Sequence, residues 1–448
     1  MKKKLTLLLA MGLSLAMNAQ SVLSVSPSDL DGEEISFVGE AMSHNHLYAV
    51  GTNMEGMTPM FWNTQTGSMY QISFLDSAMS EGEWYTQPIT GVLHGVNNNG
   101  IAVGSITYAN FVSKPIITFI TSAAKDGTFT LLAYDEADAG AEAYGITDDG
   151  STILGFHFDA AWITHACIWT NNGQTRTDLA LPTEEQLGFP FDYVSARKIS
   201  ADGNTILGYA QDANTGEWVA IAWRKAGDTY HPVVFSTNYF QPMNWEDPTT
   251  PENPLPYVRF EPVSLSQDGN WASLKVIEYY DPNDWSITPV EKGARYNFTT
   301  GELQVYAGTE SYEALDLFGI ANDGTCVGRM AAGRGDETAI LWRANESSLT
   351  EISTLYADDA NLTGAMITSG TAITGDASHI LVCALNANYM NFSFVASLTN
   401  GGTTEGISDV TPNTVEPRFK GTYDIMGRKV NNITRHGIYF IDGKKVVR

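Results

Sequence analysis

Residues 148–155 read Asp148-Asp149-Gly150-Ser151-Thr152-Ile153-Leu154-Gly155, and residues 201–208 read Ala201-Asp202-Gly203-Asn204-Thr205-Ile206-Leu207-Gly208. Both are a polar turn followed by an apolar strand that ends in glycine. The same order recurs at Asn97-Asn98-Asn99-Gly100-Ile101-Ala102-Val103-Gly104 and at Asn322-Asp323-Gly324-Thr325-Cys326-Val327-Gly328, with looser copies from Asn45, Asp268 and Asp376. Aligned on residues 45, 99, 149, 202, 268, 323 and 376, the copies are 54, 50, 53, 66, 55 and 53 residues apart. A period of that length is the signature of a repeat architecture whose units bury their faces against one another.

Each copy resolves into four short runs of β-branched and aromatic residues separated by turn chemistry. In the fourth copy the runs are residues 195–200, 205–209, 218–223 and 229–235, and the first turn is Asp202-Gly203. Asp-Gly and Asn-Gly suit tight hairpins because both central positions tolerate positive φ. The third run often closes on tryptophan, at Trp62, Trp169, Trp223 and Trp342. A large ring at a fixed place in every unit is what packing between neighbouring sheets requires. These features predict an all-β, seven-bladed β-propeller of four-stranded antiparallel blades over residues 21–400. The last copy lacks a fourth strand, so Val22 to Val25, or alternatively Ile407 to Val410, is expected to complete it and leave no open edge.

Composition narrows function. Residues 1–20 carry Lys2, Lys3 and Lys4 ahead of a short apolar run and read as a secretory signal peptide, and no stretch is long enough to form a transmembrane segment. The chain has 51 acidic against 25 basic residues, a formal charge of −26, while residues 418–448 hold 8 basic and 2 acidic. An acidic field disfavours nucleic acid and anionic lipid surfaces. The three cysteines, Cys167, Cys326 and Cys383, lie in apolar runs and read as small core residues. No histidine or carboxylate spacing signals a metal or cofactor site, and neither is expected.

Gly145-Ile146-Thr147-Asp148-Asp149-Gly150, Ile199-Ser200-Ala201-Asp202-Gly203 and Gly319-Ile320-Ala321-Asn322-Asp323-Gly324 resemble the HAF-type extracellular repeat. The adjacency of Asp and Gly departs from the sialidase Asp-box, so sialidase chemistry is not expected. Residues 401–420 are rich in Gly, Thr and Pro and read as a linker. Beyond it, Tyr423-Asp424-Ile425-Met426-Gly427-Arg428 and Gly437-Ile438-Tyr439, with Gly443-Lys444, resemble the C-terminal sorting domain of the type IX (Por) secretion system. That resemblance implies contact with secretion machinery through residues 421–448, and a location outside the cell, on its outer surface or in the periplasm. Locally, 439–441 and 445–447 are expected to pair as a small β-hairpin across Asp442-Gly443.

In such a ring, loops between second and third strands emerge on the same face as loops between blades, and here they vary from copy to copy. Variable loops on a repeated scaffold are where contacts are built. They carry Trp84 and Tyr85, Phe158, Asp159 and Trp162, Tyr239 and Trp245, and Tyr280, Asp281 and Trp285. Aromatic planes with acids and amides suit sugar rings or peptides. The reading is a non-catalytic module for a glycan or a peptide or protein ligand. A glycan-degrading hydrolase or lyase, with acids such as Asp159 and Asp281 in a central pocket, is the alternative. A scaffold for a partner protein is a third.

Overall fold

The computed structural model describes residues 20–30, 32–72, 88–119, 129–187, 190–213, 218–235, 257–279, 290–307, 314–332 and 336–398, with 422–424, 438–441 and 444–447 in the tail. The proposed signal peptide, apart from Gln20, and the linker lie outside these residues. The chain divides into two compact parts, residues 1–400 and 401–448.

The described strands of the first part are almost entirely antiparallel and group into seven four-stranded blades. In the fourth, Phe191–Ile199, Thr205–Asp212, Trp218–Ala226 and Thr229–Val234 pair in sequence order. Asp-Gly sits where expected, with Gly203 at φ 72°. The seventh blade takes its outermost strand from the start of the body: Val22–Val25 pairs with Asn391–Ser397, so one sheet holds both chain ends of the ring. The alternative closing segment, 407–410, lies outside the described residues.

The innermost strands are Phe37–Met42, Pro88–Val96, Gly140–Ile146, Phe191–Ile199, Tyr257–Leu265, Ala314–Ile320 and Met366–Ile373. Each lies beside the next, and the seventh returns to the first. Between blades the core is apolar. Trp62, Trp169 and Trp223 are 0% exposed and Trp342 4%, as the repeated tryptophans led one to expect. All three cysteines are free and buried in this core, and burial pushes the Cys326 thiol up to about 12.

Two devices hold the ring at the axis. The glycine that closes the second strand lies against its own blade's inner strand so closely that a Cβ at Gly104 would sit 1.9 Å from Val92 O, and at Gly155 2.0 Å from Glu142 O. Glycine there permits backbone approach that no side chain allows. The first turns of the blades are also bonded one to the next. Asn45 N donates to Asn98 Oδ1 (2.7 Å), Asn98 Nδ2 to Asp148 Oδ2 (3.0 Å), Asp148 N to Ala201 O (3.0 Å), and Ala201 N to Gln267 O (2.9 Å). Asp268 N donates to Asn322 Oδ1 (3.0 Å) and Asn322 N to Gly375 O (2.8 Å), and the seam is closed by His46 stacked on His379 at 3.7 Å.

The tail contains the expected hairpin and extends it by one strand. Ile438–Ile441 and Lys444–Val447 do pair, and Thr422–Asp424 adds a third antiparallel strand. A third strand supplies pairing that an isolated hairpin lacks in water.

Candidate functional site

Every inner strand carries a β-bulge at the same place. The pairing skips Glu40, His94, Tyr144, Arg197, Val263 and Thr371, and in the sixth blade it skips a pair that includes Phe318. A bulge leaves one residue outside the ladder and re-aims its side chain. Six of these seven residues line a single cavity of about 370 Å³, all except Thr371. Each stands five positions before the aligned turn residue of its copy, so the blade period delivers one side chain per blade to this place. Lys198, Tyr209, Glu261, Pro262, Lys275 and Asp316 complete the lining.

The lining is ordered by stacking on one side and by ion pairs on the other. His94 lies 4.3 Å above Tyr144 with planes 9° apart, and its Nδ1 is 3.0 Å from Glu40 Oε2. The Arg197 guanidinium covers the opposite side of the column, 4.3 Å from the Tyr144 centroid, and donates to Tyr209 Oη at 2.6 Å. Burial, then the Glu142 carboxylate, raises the Tyr144 phenol far above its ordinary range, so it stays neutral. Across the cavity, Lys275 Nζ is 2.7 Å from both Asp316 Oδ1 and Glu291 Oε2, and Arg329 Nε is 2.9 Å from Asp316 Oδ2. Burial opposes the Lys275 charge, but its bonds to Asp316 and Glu291 prevail and raise its pKa. Lys198 has the opposite balance: desolvation lowers its pKa, Glu40 partly offsets this, and Arg197 lowers it further.

A second feature lies in the loops between second and third strands. Three of them, 108–112, 159–163 and 386–390, are the same five-residue turn. In each, the first residue's N–H donates to the fifth residue's C=O, and the fourth N–H to the first C=O. The fourth residue has left-handed φ, a position that glycine ordinarily fills. Here it is Phe111 (φ 64°, 83% exposed), Trp162 (φ 64°, 67%) and Tyr389 (φ 62°, 74%). The corresponding loop of the first blade places Met57 at φ 48° and 48% exposed. The seventh, first, second and third blades are consecutive, so a run of four neighbours presents an exposed apolar side chain from strained backbone. A bulky residue with positive φ is a conformational outlier worth roughly 1–2 kcal/mol.

Of the residues singled out from sequence, Phe158, Asp159 and Trp162 share one of these turns. Trp162 is exposed and rests 5.9 Å from the Phe158 ring. The Asp159 carboxylate is spent on its own loop: it accepts from Ile163 N (2.9 Å) and Ala161 N (2.8 Å) and faces His165 Nε2 at 3.2 Å. Those backbone donors, Ile163 first, hold its pKa below the usual carboxylate value. Asp159 is not among the residues lining the cavity. Trp84, Tyr85, Tyr239, Trp245, Tyr280, Asp281 and Trp285 lie outside the described residues. The axial residues escaped a search for dense local motifs because each is separated from the next by a whole copy. Their signal is positional: the residue five before the turn. Phe111 and Tyr389 share with Trp162 the spacing of an alanine two residues before an aromatic.

His157, His165 and Asp178 bring ligand-type atoms within 4.8 Å of one another on the outer strands of the third blade. The two imidazoles are stacked, 5.0 Å apart at 21°, which aims their in-plane lone pairs along neighbouring planes instead of at one point. Asp138 (3.2 Å) and Asp178 (3.1 Å) flank His157, and Arg176 also binds Asp138. As arranged, the cluster is a hydrogen-bonded network around the Arg176–Asp138 ion pair.

Among the described residues, no helix is long and apolar enough to cross a membrane. No family model and no curated protein matches the chain. Solved β-propellers resemble it in strand arrangement. A putative TolB from Agrobacterium tumefaciens aligns at 10% identity and TM-score 0.41 over 76% of this chain and 98% of its own. The β-propeller domain of the Trilobed protease from Pyrococcus furiosus aligns at 8% and 0.45 over 84% and 94%. The Dos1 propeller aligns at 9% and 0.42 over 84% and 82%.

Proposed function

We propose that the protein is an exported, non-catalytic glycan-binding module whose ligand lies across the face that carries Phe111, Trp162 and Tyr389. One observation carries this reading: three blades share a turn in which glycine would relieve strain, and all three hold an exposed aromatic ring there instead. Strain retained at a surface position is the mark of a contact made to something else. Aromatic faces stack on the apolar faces of sugars, and fixing them on tight hairpins removes the ordering cost that a mobile loop would add. Two of the three acids lining the axial cavity are engaged by basic groups, which argues against the hydrolase reading: Asp316 pairs with Lys275 and Arg329, and Glu40 is bonded to His94. Export is proposed from the N-terminal segment, and delivery by type IX machinery from residues 421–448.

The test is a glycan array probed with the purified protein, followed by the single variants Phe111→Ala, Trp162→Ala and Tyr389→Ala. Each substitution is expected to weaken binding to the same glycan about tenfold, the scale of one lost stacking contact. Turnover of a chromogenic glycoside, or capture of a peptide with no glycan bound, contradicts the proposal.

A further inference from the structure

We infer that Arg197 and Lys198 form an anion subsite at the axis that receives the carboxylate of a uronic acid in the ligand glycan. This rests on the glycan-binding reading and extends it from the aromatic turns to the cavity.

The first ground is a comparison between copies. The position immediately after the bulge is Ala41, Gly95, Gly145, Ser264, Gly319 and Ala372 in six blades, and Lys198 in the fourth. Small residues suit it because neighbouring inner strands abut there. A Cβ on Gly145 would sit 2.9 Å from Ile199 Cγ2, and one on Gly95 3.2 Å from Gly145 Cα. The fold therefore asks for a small side chain at this place, and the fourth blade supplies a lysine that lines the cavity.

The second ground is charge. Across the cavity, Lys275 and Arg329 are matched by Asp316, Glu291 and Glu337. Among the described residues, neither Arg197 nor Lys198 has a carboxylate within ion-pair distance. Arg197 is held by the Tyr144 ring and the Tyr209 hydroxyl, both uncharged. Glu40, the acid that acts on Lys198 from a distance, is bonded to His94. Desolvation lowers the Lys198 pKa, as expected of an ammonium taken out of water without a counter-ion. Two adjacent cations with no carboxylate within ion-pair distance among the described residues, in a chain of charge −26, are an arrangement that a bound anion would complete.

The surroundings select among anions. Glu40 and Glu261 also line the cavity, where their charge disfavours a dianion such as phosphate, and Glu40 keeps acceptor capacity beyond its bond to His94 for a hydroxyl. The lining is mixed: beside the charged groups stand Pro262, Val263, Phe318 and the rings of Tyr144 and Tyr209. A monoanionic carboxylate on a polyhydroxylated ring satisfies both sets of groups.

Calorimetric titration of the full chain tests this with trigalacturonate, its methyl-esterified counterpart, inorganic phosphate, and a tripeptide as acid and as amide. Trigalacturonate is expected to bind at least about tenfold more tightly than the ester. Lys198→Ala and Lys198→Gly, which supply the residue types of five of the other six copies, are expected to abolish that preference while leaving the melting temperature unchanged or higher. Equal binding of acid and ester by the natural protein, with glycan binding otherwise intact, overturns the anion subsite alone. An undiminished preference in both Lys198 variants does the same. Selective binding of the peptide acid or of phosphate, with uronate ignored, overturns the choice of ligand. Loss of glycan binding to every probe, on the array as well, overturns the glycan-face reading itself.

Discussion

Two positions five residues apart in each copy, one at the bulge of the inner strand and one in the turn that follows it, behave oppositely in this chain. At the turn, the copies agree: Asp149, Asp202, Asp268 and Asp376 each fold a carboxylate oxygen back onto a hydroxyl two residues before them, as Asp202 Oδ1 does on Ser200 Oγ at 2.7 Å. At the bulge the copies disagree entirely, giving Glu40, His94, Tyr144, Arg197, Val263, Phe318 and Thr371. The turn positions bond to one another around the ring, whereas the bulge positions converge on a cavity. Within one repeated scaffold, sameness marks what the architecture needs. Difference at a fixed register marks what it is free to use.

The sharpest way to break this contrast is to alter a residue that the copies share. Gly104→Ala drives a methyl into Val92 O and is expected to cost about 3 kcal/mol or to prevent folding, measured by urea denaturation. A midpoint unchanged within error would show that the shared glycines are incidental. A milder case is Asp202→Ala, which removes acceptors for Ser200 Oγ and Asn204 N and is expected to cost about 1 kcal/mol.

The five-residue turns invert the expectation. Trp162→Gly relieves a left-handed φ and is expected to raise stability by roughly 0.5–1 kcal/mol, because glycine's greater freedom when unfolded takes back part of the relief. A loss of stability there would mean that the indole packs for the fold and not for a ligand.

The smallest expected effect lies at the seam between first and last blades. Burial lowers the pKa of His46, and burial together with His46 lowers that of His379 to about 4. Both bases are neutral in the folded ring but take up protons in the unfolded chain once pH falls below the ordinary imidazole value of 6.5. Their contribution is therefore complete above that pH and is lost progressively as pH drops toward 4. His379→Phe is expected to flatten this part of the stability profile, read as melting temperature against pH. An unaltered slope would remove the stacked pair from the account.

Much of the ring was readable from sequence because its determinants are local and repeated. The turns, the tryptophans and the closing glycines each report on their own blade, and the strands of the fourth copy fall within a few residues of where turn chemistry placed them. Val22–Val25 was legible as the closing strand because the seventh copy lacks one. The tail's third strand, Thr422–Asp424, was missed because three residues carry no periodicity. The cavity was not legible as chemistry: Arg197 and Glu40 come to line one cavity through closure of the ring, and nothing within either copy says so. Trp162 was found for its aromaticity. Its significance comes from φ and from Phe111 and Tyr389, which only the shared turn reveals.

The central claim is that the unshared positions serve a ligand and not the fold. Its most direct test is the triple variant Phe111→Gly, Trp162→Gly and Tyr389→Gly, measured for urea midpoint and for glycan-array signal on the same preparation. The account predicts a midpoint at or above that of the natural protein, with the array signal abolished. A lowered midpoint with the array signal intact would contradict it.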